Sequence, residues 1–88
     1  MITVNTNDLV DRLSALNLPG TRWKVEANRD WSGDDAIWIW AVVDDERLAR
    51  MSGRDLSELR NQMVRAAADA HVPEDVIVYT RFVAESEA

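Results

Sequence analysis

The chain has 88 residues, of which 47% are hydrophobic and 30% are charged, and this ordinary globular composition predicts one folded α+β domain over residues 1–88 rather than a disordered chain. With 16 acidic and 10 basic side chains the formal charge is −6, which repels nucleic-acid backbones and anionic membranes and favours a basic partner. The chain contains no cysteine, which excludes disulfides, thiolate metal sites and cysteine nucleophiles.

A helix and a half-buried strand are predicted in the first third of the chain. Apolar side chains recur at three- and four-residue spacing over residues 6–17, which indicates a helix that Asn5 or Thr6 can cap. From Thr21 to Asn28 the apolar period changes to two. This alternation predicts the first strand, with one face towards the core.

The next stretch predicts a turn, a buried strand and a connection. Residues 30–35 are rich in Asp, Ser and Gly, the residue types that favour turns. Every position from Ala36 to Val43 is apolar, which is typical of a strand covered on both faces. The charged residues 44–54 are interpreted as a connection with room for one short helical turn at residues 46–51.

A second helix and a third strand complete the predicted elements. Asp55 and Glu58 match a capping box, and an apolar stripe with helical spacing follows them, so we expect a helix over residues 55–71. The stretch from Val76 to Val83 is rich in β-branched and aromatic residues and predicts the last strand. The acidic tail, residues 85–88, is expected to be frayed.

The order of predicted elements is α-β-β-α-β, which indicates an α/β (α+β) fold. In this fold a three-stranded mixed sheet carries two helices packed on one face. Because the second strand is apolar on both faces and the first is not, we place the second strand in the centre, with the strand order 2-1-3 as the alternative. The helix between the second and third strands requires these two strands to run parallel.

One segment carries a resemblance to known proteins. The segment from Trp31 to Trp40, W-S-G-D-D-A-I-W-I-W, read together with Tyr79-Thr80-Arg81-Phe82, resembles a group of small uncharacterised bacterial proteins with the pattern W-S-G-D-x-A-[IV]-W-[IV]-W. The resemblance covers most of the chain and implies no activity. The α-β-β-α-β order is also similar to the cytoplasmic domain of cation-diffusion transporters, a likeness of topology without a shared motif.

No catalytic residues are predicted. His71 is the only histidine, and we expect it in the last turn of the second helix, where its charged form would meet the negative end of the helix dipole. A nucleophilic triad needs a serine or threonine beside such a base, and no serine of the chain lies in a nucleophile-elbow context. We therefore expect a protein that is not an enzyme.

No metal site and no cofactor site is predicted either. The acidic clusters at residues 30–35 and 44–46 lack the alternating carboxylate spacing of a calcium-binding loop and are interpreted as solvated turns. Gly20, Gly33 and Gly53 are isolated from one another, so the chain has neither a phosphate-binding loop nor a dinucleotide fingerprint.

The feature that points to a function is an aromatic surface on the sheet. Trp38 and Trp40 are two residues apart and therefore share one face of the second strand. If the aliphatic residues of that strand face the helices, the tryptophans point outward beside Tyr79, Arg81 and Lys24, and these five residues form the predicted interaction surface. The alternative is that the tryptophans point inward, against the alanines of the second helix.

We expect this aromatic surface to bind protein, either by self-association into a homodimer or through a dedicated protein partner. One alternative is an acidic inhibitor of the antitoxin or immunity type, which would neutralise a basic protein. Another is single-stranded nucleic-acid binding by base stacking, which the net charge of −6 disfavours. Because the first residues lack a secretion signal and no apolar run approaches the ~20 residues of a membrane helix, a cytoplasmic location is expected.

Overall fold

The computed structural model describes residues 5–88 and places three α-helices and three strands in this range. In chain order they are α1 (Thr6–Ser14), β1 (Thr21–Arg29), β2 (Asp35–Val43), α2 (Asp45–Arg50), α3 (Gly53–Asp69) and β3 (Ile77–Ala84), followed by a 3₁₀ turn at Glu85–Glu87. The predicted α+β class is confirmed, and α2 is a short additional helix within the expected connection. Among these described elements, no helix combines the length and the apolar character needed to cross a bilayer.

The three strands form one mixed sheet in the order β1-β2-β3. β1 pairs with β2 in the antiparallel sense, with Lys24 opposite Trp40, and β2 pairs with β3 in the parallel sense, with Trp38 opposite Tyr79. The central position of the second strand is confirmed, and the alternative order 2-1-3 is excluded. Because β2 lies between the other two strands, each of its residues is buried or half-buried.

The helices α1 and α3 pack on one face of the sheet, called here the inner face. The side chains of β2 that point to this face are fully buried: Ile37, Ile39, Ala41 and Val43. They meet the apolar stripes of the two helices, which consist of Leu9 and Leu13 from α1 and Leu59, Met63, Ala66 and Ala67 from α3. Their spacing of three and four residues aligns each stripe along one side of its helix, which is why both helices can lie flat on the sheet.

α1 is capped by Asn5, one of the two caps that the sequence allows. The Asn5 Oδ1 accepts a hydrogen bond from the backbone N–H of Asp8 at 3.0 Å and so satisfies one of the free donors at the helix start. The helix ends at Ser14, three residues before the predicted end. The chain then forms a turn in which Asn17 has a left-handed backbone, with φ of 52°. The apolar spacing in the sequence therefore continues beyond the end of the helix.

α3 begins two residues earlier than predicted and uses a different cap. The Ser52 hydroxyl accepts from the backbone N–H of Asp55 at 3.1 Å, and the Asp55 carboxylate accepts from the backbone N–H of Ser52 at 3.0 Å. These two bonds form a capping box. The predicted box of Asp55 and Glu58 is wrong, because Asp55 occupies the third helical position of a motif that starts at Ser52. Hydrogen bonding by the backbone and side chain of Ser52 lowers the pKa of Asp55.

His71 lies outside α3, which corrects its predicted place in the last helical turn. The helix ends at Asp69, and His71 has a left-handed backbone with φ of 61°. Its N–H donates to the carbonyl of Ala68, and the N–H of Val72 donates to the carbonyl of Ala67, both at 3.1 Å. These are the two bonds of a Schellman motif. His71 therefore ends the helix through its backbone, while its imidazole is exposed.

Candidate interaction surface on the outer sheet face

The face of the sheet that points away from α1 and α3 is called here the outer face. Because side chains alternate along a strand, Trp38, Trp40 and Val42 lie on the outer face while Ile39 and Ala41 point to the helices. The tryptophans thus take the outward of the two orientations that the sequence allows. Both indole rings are half-buried, since neighbouring side chains of the sheet cover part of each.

The five residues of the predicted interaction surface lie together in the middle of the outer face. Trp38 stacks on Tyr79, with ring centroids 5.2 Å apart and planes inclined by 18°. The Nζ of Lys24 lies 5.0 Å from the centre of the Trp40 ring, and the guanidinium of Arg81 lies 5.7 Å from the centre of the Tyr79 ring. Cations and aromatic faces attract each other at these distances. The result is an aromatic patch edged by two positive charges.

The turn between β1 and β2 is tied to this patch through Asp30, which is only 9% exposed. The Asp30 Oδ1 accepts from the backbone N–H groups of Ser32 and Asp34 at 2.9 and 3.0 Å, and its Oδ2 accepts from the Tyr79 hydroxyl at 3.1 Å. The turn also requires a left-handed residue, and Gly33 supplies it with φ of 83°. The carboxylate of Asp30 therefore shapes the turn and anchors it to β3.

Hydrogen bonding fixes the charge states of Asp30 and Tyr79. Burial by itself raises the pKa of Asp30, but hydrogen bonds from the backbone of Asp34 and Ser32 and from Tyr79 stabilise the carboxylate, and the net effect is a lowered pKa. The pKa of Tyr79 is raised, first because burial disfavours the phenolate and then because the hydroxyl donates to Asp30. At neutral pH the pair is thus a carboxylate and a neutral phenol, and both carboxylate oxygens are engaged in structural bonds.

Trp31 is the most exposed of the large hydrophobic residues that the structure describes, at 80%. Its ring lies 5.5 Å from that of Tyr79, with the planes inclined by 46°. Trp31, Tyr79 and Trp38 therefore form a row of three aromatic rings from the solvent to the middle of the outer face. Sequence reasoning missed Trp31 and Asp30 as parts of this surface. The sequence does contain a signal, which is a tryptophan among turn-forming residues. Such a side chain lies on no helix or strand face that packs on the core, so it is expected to be exposed.

An ion pair closes the opposite end of the outer face. Arg22 donates two hydrogen bonds to the carboxylate of Glu85, from Nε at 3.1 Å and from Nη2 at 2.6 Å. The pair joins β1 to the turn after β3 and so spans the central strand, where Val42 is paired with Arg22 and is 6% exposed. The backbone N–H of Ser86 also donates to the carboxylate of Asp45 at 2.9 Å. These contacts hold Glu85 and Ser86 in place at the start of the 3₁₀ turn, so the expectation of a frayed tail is wrong for these two residues.

Carboxylates of the two acidic clusters accept hydrogen bonds from backbone N–H groups. Asp44 caps α2 by accepting from the N–H of Arg47 at 3.4 Å, while Asp45 accepts from Ser86 and Asp30 accepts from its own turn. Across residues 5–88, no group of three or more histidine, aspartate or glutamate side chains is arranged to hold a metal ion.

The outer face is suited to contact with apolar or planar groups. Four aromatic rings offer a surface for packing, and two cations at its edge offer partners for carboxylates or carbonyl groups. Comparison of the chain with protein-family models, with curated proteins and with solved structures gave no match.

Proposed function

We propose that the chain is a non-catalytic, cytoplasmic protein-interaction domain that binds a protein through the outer face. The observation that carries the proposal is Trp31, which is 80% exposed although its ring is held against the stacked pair of Tyr79 and Trp38. Contiguous aromatic patches of this kind mark binding surfaces on soluble domains. Tryptophan is also among the residues that most often contribute the largest share of binding energy in protein interfaces.

The position of Trp31 is set before any partner arrives. The neighbouring Asp30 closes the turn with hydrogen bonds to Ser32 and Asp34, and Tyr79 contacts the Trp31 ring from the sheet. A side chain that is already ordered loses less conformational entropy on binding than a mobile one. The geometry therefore favours the use of Trp31 as an anchor that enters an apolar pocket of the partner.

The charges around the rings favour a protein over a nucleic acid. A site for single strands needs a positive groove that follows the phosphate backbone, in addition to stacking rings. On the outer face Lys24 and Arg81 lie over aromatic rings, and Arg22 is neutralised by Glu85. With a net charge of −6 on the whole chain, phosphate attraction is weak. A protein that places an apolar side chain on the rings and a carboxylate beside Lys24 or Arg81 fits better.

The test compares three immobilised proteins: the wild type, Trp31→Ala and Val64→Ala. Val64 is a matched control, since it is a large hydrophobic residue with 47% exposure on α3, on the other side of the molecule. We expect the wild type and Val64→Ala to retain the same protein partner. Trp31→Ala should weaken that affinity roughly 30-fold or more, the effect of losing a hot spot of about 2 kcal/mol. Circular dichroism checks that all three proteins are folded.

Three other outcomes are possible, and two of them would point to a different activity. Equal retention of the partner by the wild type and Trp31→Ala would contradict the proposal. A basic protein that all three baits retain and that moderate salt releases would favour an acidic inhibitor of a basic protein. Single-stranded oligonucleotides that bind the wild type and not Trp31→Ala would indicate nucleic-acid binding by base stacking.

A further inference from the structure

β1 is a long edge strand. It covers nine residues, Thr21–Arg29, and within the described range it pairs only with β2, on one side. Its other side presents backbone N–H and C=O groups that can pair with a further strand, and it contains no proline that would interrupt such pairing. The residues on this strand determine which partner strand fits.

We infer that two copies of the chain pair antiparallel along β1, with Val25 on the two-fold axis, so that the two sheets become one sheet of six strands. The inference concerns the free edge of β1, which shares Lys24 with the outer-face patch, and it rests on observations other than those that carry the proposed function. In this register all nine residues of β1 are paired with the second copy. Thr21 lies opposite Arg29, Arg22 opposite Asn28, Trp23 opposite Ala27, and Lys24 opposite Glu26.

Charge complementarity selects this register. Lys24 and Glu26 both point to the outer face, and in the part of the chain that the structure describes neither of them takes part in an ion pair. The two-fold axis at Val25 places each Lys24 opposite the Glu26 of the second copy, so two opposite-charge pairs form. Sliding one strand by two residues is the smallest shift that keeps the faces aligned. One direction places Lys24 opposite Lys24 and Glu26 opposite Arg22, which already pairs with Glu85, and the other direction places Glu26 opposite Glu26. A charged lysine on an edge strand disfavours pairing with most other strands. Here Lys24 favours pairing with β1 of a second copy, because Glu26 of that copy lies opposite.

The inner face is complementary in shape. Ala27 points to the inner face and is paired with the fully buried Ile37, yet Ala27 itself is exposed. The reason is that α1, with nine residues and a length of about 14 Å, covers only half of a strand of about 30 Å. Trp23 and Val25 contact the core, which places α1 over the first half. The second copy would bring its Trp23 beside the uncovered Ala27.

The same offset avoids a collision between the helices. Because the strands are antiparallel and centred on Val25, the α1 helix of each copy lies over the opposite half of the joined strands. Both outer faces then lie on the same side of the six-stranded sheet, since Lys24 and Glu26 of the two copies share that side. The dimer would present two Trp31 anchors in the same direction.

Single cysteine variants test the register directly, because the natural chain has no cysteine. In the inferred dimer the two Val25 Cα atoms face each other within about 5.5 Å, inside the range that a disulfide bridges. Val25→Cys should therefore form a covalent dimer under mild oxidation. Ala27→Cys is the matched control: it is more exposed, but its two copies lie about 13 Å apart along the strands and should not crosslink. Crosslinking of Ala27→Cys as fast as Val25→Cys would overturn the register.

Charge reversal provides the second test, read as molecular mass by light scattering after gel filtration. Lys24→Glu or Glu26→Lys alone creates two like-charge pairs and should raise the dimer dissociation constant roughly tenfold. The double variant Lys24→Glu/Glu26→Lys restores opposite charges and should recover the wild-type constant. Trp31→Ala should leave the dimer intact. A wild type that stays monomeric at the highest soluble concentration, or a dimer that Trp31→Ala breaks and the charge reversals do not, would overturn the inference.

Discussion

The Tyr79 hydroxyl donates a hydrogen bond to Asp30 across 49 positions of the chain, at 3.1 Å. Asp30 lies in the turn between β1 and β2, whereas Tyr79 lies on β3, so the bond reaches over the first residues of the central strand. The same aspartate closes its own turn through two backbone N–H groups. One carboxylate therefore both shapes the turn that carries Trp31 and joins it to the aromatic patch.

Asp30→Asn should lower the melting temperature at neutral pH, and the difference from the wild type should shrink in acid. The folded state lowers the pKa of Asp30, so the stability contributed by its carboxylate is present above the ordinary aspartate pKa of about 3.9 and is lost as the pH falls through the folded-state pKa. Thermal unfolding followed by circular dichroism, near neutral pH and below about pH 4, measures this difference. Asp34→Asn is the control, since it removes a charge from the same turn and keeps the bond to Tyr79. A difference that is the same at both pH values would show that the carboxylate charge is unimportant.

Ser52→Ala should reduce the free energy of unfolding by about 1 kcal/mol, because it removes the hydroxyl that caps α3. Glu58→Ala, in the exposed first turns of the same helix, should change it by less than about 0.5 kcal/mol. Urea unfolding with a common slope for all variants measures both changes. The opposite ranking would restore the capping box of Asp55 and Glu58 that the sequence pattern favours.

His71→Gly should stabilise the protein by about 0.5–1 kcal/mol. The backbone at this position is left-handed, with φ of 61°, and only glycine adopts that conformation without a steric cost from its Cβ. His71→Ala keeps a Cβ and removes the imidazole, so it should bring no such gain. If both variants raise the urea midpoint equally, the imidazole and not the backbone conformation limits stability at this position.

The parts of the fold that follow from the sequence are those with a strong local pattern. The uninterrupted apolar run of β2 and the apolar stripe of α3 each predict the correct element, since a helix or strand that is buried on a known side leaves a periodic signal. The direction of Trp38 and Trp40 is not encoded in this way, because both faces of β2 are apolar and alternation does not say which face the helices cover.

The long-range contacts that tie the candidate surface together have no local signal in the sequence. Asp30 and Tyr79 are distant in the chain, and Arg22 meets Glu85 from the far edge of the sheet. Such pairs depend on the register of the assembled sheet, which single-sequence patterns do not determine. The shifted start of α3 has a different cause, since Ser52 and Asp55 both satisfy the local rules for a cap and only hydrogen-bond geometry separates them.

The orientation of the outer face can be tested with one substitution at two adjacent positions of β2. Ile39 is fully buried on the inner face, whereas Trp40 is half-buried on the outer face beside Lys24. Ile39→Lys should unfold the protein. Loss of a core isoleucine lowers the free energy of unfolding by about 2–5 kcal/mol, and a buried ammonium lowers it by several kcal/mol more. The free energy of unfolding of a domain of this size is only roughly 5–10 kcal/mol.

Trp40→Lys should instead remain folded and lose about 1–3 kcal/mol. The new ammonium can reach solvent from the outer face, so the cost is limited to the lost contact with Lys24, the like charge beside it and the smaller packing surface. Circular dichroism and urea unfolding of the two variants measure the contrast, with Ile39→Val as a control that should cost only about 0.5–1.5 kcal/mol. If Trp40→Lys unfolds as completely as Ile39→Lys, the ring at position 40 is enclosed, and the outer face is covered by a second molecule or by the chain itself.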